Sequence, residues 1–266
     1  MKNKTVRLTE SAVMLALATV LSILPILELP YGGSVTVCSM LPLVVIAYRH
    51  GVKHGLFTGA VYGLLQMLLG MKNVMYFTTP LSIAAVILLD YVLAYTAIGL
   101  AGLFRNMCKR QTPAMICGTL LACVIRYVLH VIAGATVWAG LSIPSSAALI
   151  YSFAYNATYM LPETIVLTLG VSLVAGWLQL RGETVGRTAP TPKTKNGFAV
   201  AAGIVAVSTL IFDVRTIFAH LQDADTGEFI ITGLQAVNWG LVSIVTAVGA
   251  AICAVLLYIR HLKTKS

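Results

Sequence analysis

Long apolar runs separated by short polar turns dominate the chain, at residues 11–29, 36–48, 55–71, 79–104, 113–139, 145–178, 198–218 and 236–259. The longer runs match the roughly 20 residues a helix needs to cross a bilayer, so the eight are read as membrane helices. One stretch breaks the pattern. Residues 180–197 are polar and rich in Pro, Gly and Thr, the composition of a flexible linker. The expected fold is therefore all-α: a polytopic membrane bundle with a six-helix core over 1–179, a linker over 180–197 and a two-helix tail over 198–266.

Composition removes the soluble alternative. Apolar residues make up 58% of the chain and charged ones 10%, with a mean hydropathy of +0.89, which leaves too little polar surface to cover a globule in water. The net charge of +9 has a topological reading. If the eight spans alternate, 15 of the 18 basic residues fall on one side, among them Lys4, Arg7, Arg49, Lys53, Arg105, Arg181, Lys193, Arg260 and Lys263. Basic loops stay in the cytoplasm, so both termini and the linker are expected there. The opposite loops carry Glu28, Asp223, Asp225 and Glu228, with Lys72 as the basic exception. Lys2, Lys4 and Arg7 precede the first run, but no small-residue cleavage site follows it, so it reads as an uncleaved helix rather than a signal peptide.

With the orientation set, the helical rise gives depth. Asp90 lies about 16 Å below the outer boundary, His130 about 14 Å, and Tyr151 and Asn156 roughly 9 and 16 Å. Trp138 sits just under the rim. An aspartate at a helix centre costs about 2.5–3.5 kcal/mol against lipid, so these groups must face protein or water. Each alone has a simpler reading, an interfacial aromatic or a single interhelical hydrogen bond. Their agreement in depth instead points to a pocket open to the outside, with Tyr62, Tyr91 and Trp138 as aromatic walls and Gly134 leaving room for a ligand ring. An acid, an imidazole, an amide and aromatic faces suit a small flat cation.

Other features carry less. Arg126 is expected to pair with Glu163 as a structural bridge. His50 and His54 flank a basic turn without an evident acidic partner, and the five cysteines show no ligand spacing, so no metal site is expected. Ala12 and Ala16, with Ala18 nearby, form a small-residue face suited to internal packing or to docking another helix. Phosphate-loop, H-E-x-x-H and G-x-S-x-G motifs are absent, so neither ATP hydrolysis nor those hydrolase chemistries are expected of this chain.

Five stretches together resemble the thiamine-specific S component of energy-coupling factor (ECF) transporters: Gly32-Gly-Ser-Val-Thr-Val-Cys-Ser-Met-Leu-Pro42, Tyr62-Gly-Leu-Leu-Gln66, Asp90-Tyr-Val-Leu-Ala-Tyr95 running into Gly99–Phe104, Arg126-Tyr-Val-Leu-His130 with Gly134, and Tyr155-Asn-Ala-Thr-Tyr-Met-Leu-Pro-Glu163. They span residues 10–178 in family order. The resemblance implies a six-helix membrane protein that captures thiamine from outside, without cofactor or enzymatic activity of its own. Its ligand positions would fall on Asp90, His130, Trp138, Tyr151 and Asn156, with Tyr91 and Tyr62 alongside. It further implies that the first helix docks a transmembrane coupling subunit driven by two cytoplasmic ATPases. Asp90 is one methylene shorter than the Glu of some members, Tyr62 stands where others have Trp, and the tail from 198 lies outside the pattern. Two other readings remain: an S component for another heteroaromatic vitamin, and an intramembrane enzyme using Asp90 and His130 as acid and base. Nucleic acid is not an expected partner.

Overall fold

The structure, a computed structural model, describes residues 4–29, 32–141, 143, 145–182, 184–187, 197–221 and 231–265. The acidic loop residues Asp223, Asp225 and Glu228, and the linker residues from 188 to 196, lie outside these. The described residues form two compact units, divided between Thr188 and Ala189.

In the first unit α1 (Lys4–Ser22) stops earlier than its apolar run. Pro25 lacks an amide hydrogen and biases Leu24 away from helical geometry. The chain turns instead into an antiparallel hairpin of β1 (Pro25–Glu28) and β2 (Ser34–Thr36), with Leu27 opposite Val35 and Glu28 opposite Ser34. The second helix accordingly begins at Leu41 rather than 36.

This α2 (Leu41–His50) is buried from Pro42 to Arg49. At 1.5 Å per residue it is only about 15 Å long, about half of what a helix needs to cross a bilayer by itself. Gly51, at φ 92°, makes the reversal into α3 (Val52–Leu69) in a single residue, a conformation that disfavours side chains. A single turn, Met71–Val74, follows.

Thr79 caps α4 (Pro80–Arg105) by accepting from the Ser82 amide at 3.2 Å, with Pro80 in the first turn. The helix is not uniform. It is π-helical over Ile87–Leu93 and wound more tightly, as 3-10, over Ala97–Arg105. In that last stretch a side chain at Gly99 would strike the Leu56 backbone of α3, and one at Gly102 the Ala47 carbonyl of α2. Small residues there let three backbones approach closely. Two long helices, α5 (Gln111–Thr136) and α6 (Ser146–Trp177), complete the unit, α6 capped by the Ser145 hydroxyl.

One half of this bundle is solid. Tyr48, Tyr62, Ile98, Met115, Leu167 and Val171 are fully buried there. At the adjoining end Arg49 holds Glu10 of α1 through two bonds of 2.7 Å, and the Glu10 carboxylate also lies 2.7 Å from His50 Nε2. Glu10 is thus the acidic partner that the sequence around the two histidines does not reveal. His54 instead meets the Ser11 hydroxyl at 2.7 Å. After α6, β3 (Leu178–Gln179) pairs with β4 (Gly186–Arg187), and Arg181 donates to the Tyr48 hydroxyl and to carbonyls of the α4–α5 turn. The other half is hollow and covered by the hairpin.

The second unit is an antiparallel pair, α7 (Gly197–Leu221) and α8 (Trp239–Lys265). The Thr246 hydroxyl donates to Asp213 Oδ2 at 2.7 Å, the Cys253 thiol to the Ala202 carbonyl at 3.2 Å, and the Lys263 ammonium sits over the Phe198 ring. Among the described residues, six helices, α1, α4, α5, α6, α7 and α8, are long and apolar enough to cross a membrane. The protein is an all-α, multi-pass membrane bundle.

Candidate functional site

The hollow half of the first unit encloses a cavity of about 410 Å³. Asp90 reaches it from the π-helical turn of α4, where an extra residue per turn re-aims side chains and is a frequent mark of functional sites. Its carboxylate is held from two sides. Asp90 Oδ1 lies 2.8 Å from His130 Nδ1 of α5, and Oδ2 accepts from the indole nitrogen of Trp138 at 2.9 Å.

Trp138 lies two residues beyond the end of α5, but its amide still bonds the Ala133 carbonyl at 3.1 Å, which keeps it close to the helix end. Phe77 packs edge-on against it with ring centroids 4.8 Å apart. The carboxylate favours the His130 proton on Nδ1. His130 Nε2, buried with no hydrogen-bond partner among the described residues, is then left as an acceptor.

The facing wall belongs to α6. Tyr151 and Tyr155 stack with centroids 6.3 Å apart and planes 5° off parallel. The Tyr155 hydroxyl accepts from the Gly33 amide at 3.2 Å, fixing the hairpin over the cavity. Asn156 is largely committed within the protein: its amide donates to the Ser152 carbonyl at 2.8 Å and its oxygen accepts from Tyr159 at 2.7 Å. Outside the membrane spans, Lys72 donates to Glu28 at 2.9 Å and so joins the hairpin to the turn after α3; that carboxylate raises the exposed ammonium's pKa above its ordinary value.

The floor is ionic. Arg126 Nη1 donates to Glu163 Oε2 at 2.9 Å, the guanidinium lies 4.8 Å from the Tyr95 ring centroid, and the Thr36 hydroxyl of β2 donates to Glu163 Oε1 at 3.1 Å. Both charged side chains are 6% exposed.

Asp90, Tyr91, His130, Gly134, Trp138, Tyr151 and Asn156 all line this one cavity. Tyr62 does not. It is fully buried, donates to the Ala18 carbonyl at 3.2 Å and meets Tyr95 edge-on, so its work is to bind α3 to α1. Gly134, which lines the cavity, also has a packing use. A side chain there would strike the Ser152 hydroxyl, which bonds the Val131 carbonyl at 2.9 Å, so the glycine lets α6 approach closely.

On α1, Ala12 and Ala16 are exposed whereas Ala18 is buried in the core, which places Ala18 away from any external docking face. Tyr155, Tyr159, Gln66 and Thr36 line the cavity as well, although none is among the expected ligand positions. The spacing 151, 155, 159 was the available signal for the two tyrosines, since it marks one face of a helix.

The model of the thiamine transporter protein family (Thia_YuaJ) matches residues 8–179, the stretch that builds the cavity. This chain belongs to that family. Among its thiamine transporter relatives, ThiT of Bacillus subtilis (strain 168) is 36% identical over 180 residues, covering 64% of this chain and 90% of that protein. ThiT of Lacticaseibacillus paracasei is 26% identical over 181 residues, covering 62% and 85%. A solved ThiT structure from Listeria monocytogenes aligns with a TM-score of 0.52 at 26% identity, over 65% of this chain and 94% of that one. As a thiamine transporter family member the chain is a transport protein and not an enzyme, and the Asp90–His130 pair is part of a transporter cavity. The family match ends before α7.

Proposed function

We propose that this protein is the thiamine-binding S component of an ECF-type uptake transporter, with residues 1–179 as its substrate-binding core. Thiamine joins an aminopyrimidine to a cationic thiazolium ring, and the cavity offers partners for both. The observation that carries the reading is Asp90, a carboxylate held in the membrane between an imidazole and an indole and facing a cavity of about 410 Å³. A fixed carboxylate balances the cation without having to reorganise. His130 Nε2 is free to accept from an amino group, and Tyr151, Tyr155 and Trp138 supply stacking faces.

The asymmetry of basic residues supports an orientation in which Arg49 and Arg181 lie at the cytoplasmic end and the hairpin faces outward. Thiamine would then enter from outside beneath the hairpin. We assign accumulation to a transmembrane coupling subunit and two ATPases in the bacterial plasma membrane, because the chain carries no phosphate loop with which to use ATP itself. The exposed Ala12–Ala16 face of α1 is the docking surface we assign to the coupling subunit.

Mass spectrometry of the small molecules released from detergent-purified protein tests the substrate: thiamine supports the reading, and another heteroaromatic vitamin replaces it. Ala16→Trp tests the docking. It is expected to abolish uptake in cells carrying the partner subunits while the purified variant still binds thiamine; uptake at the normal rate would remove the docking assignment.

A further inference from the structure

Resting on that reading, we propose that the buried Arg126–Glu163 pair is a specificity element, by which the cavity accepts the unphosphorylated thiamine cation and discriminates against its phosphate ester. Among the described residues, three charged side chains line the cavity besides the imidazole of His130: Asp90, Arg126 and Glu163. Glu163 cancels Arg126 at 2.9 Å, which leaves Asp90 as the uncompensated charge. One carboxylate matches one cation.

A phosphate monoester adds about −1.5 to −2 charges at neutral pH and would turn the ligand into a net anion facing Asp90. Arg126 would otherwise reward that anion. It sits one helical turn from His130, and its Nε is buried with no hydrogen-bond partner among the described residues, so the guanidinium retains an unused donor beside the cavity. Glu163 lies against the same guanidinium and is held in place by Thr36 of the hairpin. The carboxylate thus masks a potential anion site on the cavity floor.

The test is the ratio of thiamine to thiamine monophosphate affinity, measured by calorimetry on the full chain in detergent. Wild type is expected to favour thiamine. Glu163→Gln exposes the Arg126 charge and should narrow the ratio by about tenfold or more, the effect of one unit charge roughly 10 Å away at an effective dielectric near 20. A double variant, Arg126→Gln with Glu163→Gln, restores the original charge sum and should return the ratio to within about twofold of wild type, since removing both partners leaves no buried charge unpaired.

Thiamine binding with equal affinity for the two ligands in wild type overturns the proposal, as does a ratio unmoved by Glu163→Gln. If the single variant does not fold, a ratio in the double variant that departs from wild type by tenfold overturns it instead. Failure of wild type to bind either ligand would refute the thiamine reading itself, a separate outcome.

Discussion

Asp90 and Asp213 are both aspartates on apolar helices, one in the six-helix unit and one in the tail, and their surroundings differ sharply. Asp90 has a donor on each oxygen and a cavity in front of it. Asp213 has the Thr246 hydroxyl on one oxygen, and its other oxygen has no hydrogen-bond partner among the described residues. In the proposed reading the first arrangement prepares a charge to receive thiamine. The second is a single interhelical bond of the kind that holds membrane helices together. Similar hydropathy therefore accompanies two arrangements, a packed shell around a polar cavity and a helix pair bridged by the Asp213–Thr246 bond.

The largest expected effect comes from breaking the buried network of the core. Arg126→Met leaves Glu163 uncompensated at 6% exposure, and losing one partner of a buried pair costs about 3–5 kcal/mol. Thermal unfolding in detergent should show a clear fall in Tm; an unchanged Tm would mean the pair is not closed off from water.

Trp138→Ala removes a stacking face and one of the two donors on Asp90. A stacking contact is worth about 0.5–1.5 kcal/mol and a hydrogen bond to a charged group about 1.5–3, so thiamine affinity should fall by at least tenfold. The ligand-dependent quenching of tryptophan fluorescence should also be lost. Retained quenching would move the stacking face elsewhere.

The smallest effect belongs to the tail. Thr246→Val deletes the bond to Asp213, and interhelical hydrogen bonds in membranes average about 0.6 kcal/mol. Thiamine affinity should be unchanged; a drop comparable to that of Trp138→Ala would erase the functional contrast between the two units.

Much of the core was legible because lipid makes polar residues conspicuous. Asp90, His130 and Asn156 stand out in apolar runs, and rise per residue puts them at one depth. Depth carries no rotation, however. Tyr62 shares the cavity's level but points at α1, and Ala18 lies on the inner side of the helix that exposes Ala16. Rotation was further obscured on α4, where the π-helical turn at Ile87–Leu93 shifts every later side chain relative to an ideal helix.

The hairpin was hidden for another reason. Strands of four and three residues are too short to set up a period, and their pairing depends on contacts such as Gly33 with Tyr155, 122 residues away in sequence. The contact between Glu10 and Arg49 was concealed in the same way, by distance along the chain.

The central claim is that Asp90, fixed by His130 and Trp138, balances and orients a thiamine cation. Calorimetric titration of thiamine into wild type and into folded Asp90→Asn tests it most directly. The substitution keeps the side chain's shape and removes its charge. A charge-assisted hydrogen bond contributes about 1.5–3 kcal/mol, so affinity is expected to drop by roughly ten- to a hundredfold with one ligand still bound per chain. Equal affinities in the two proteins would contradict the claim.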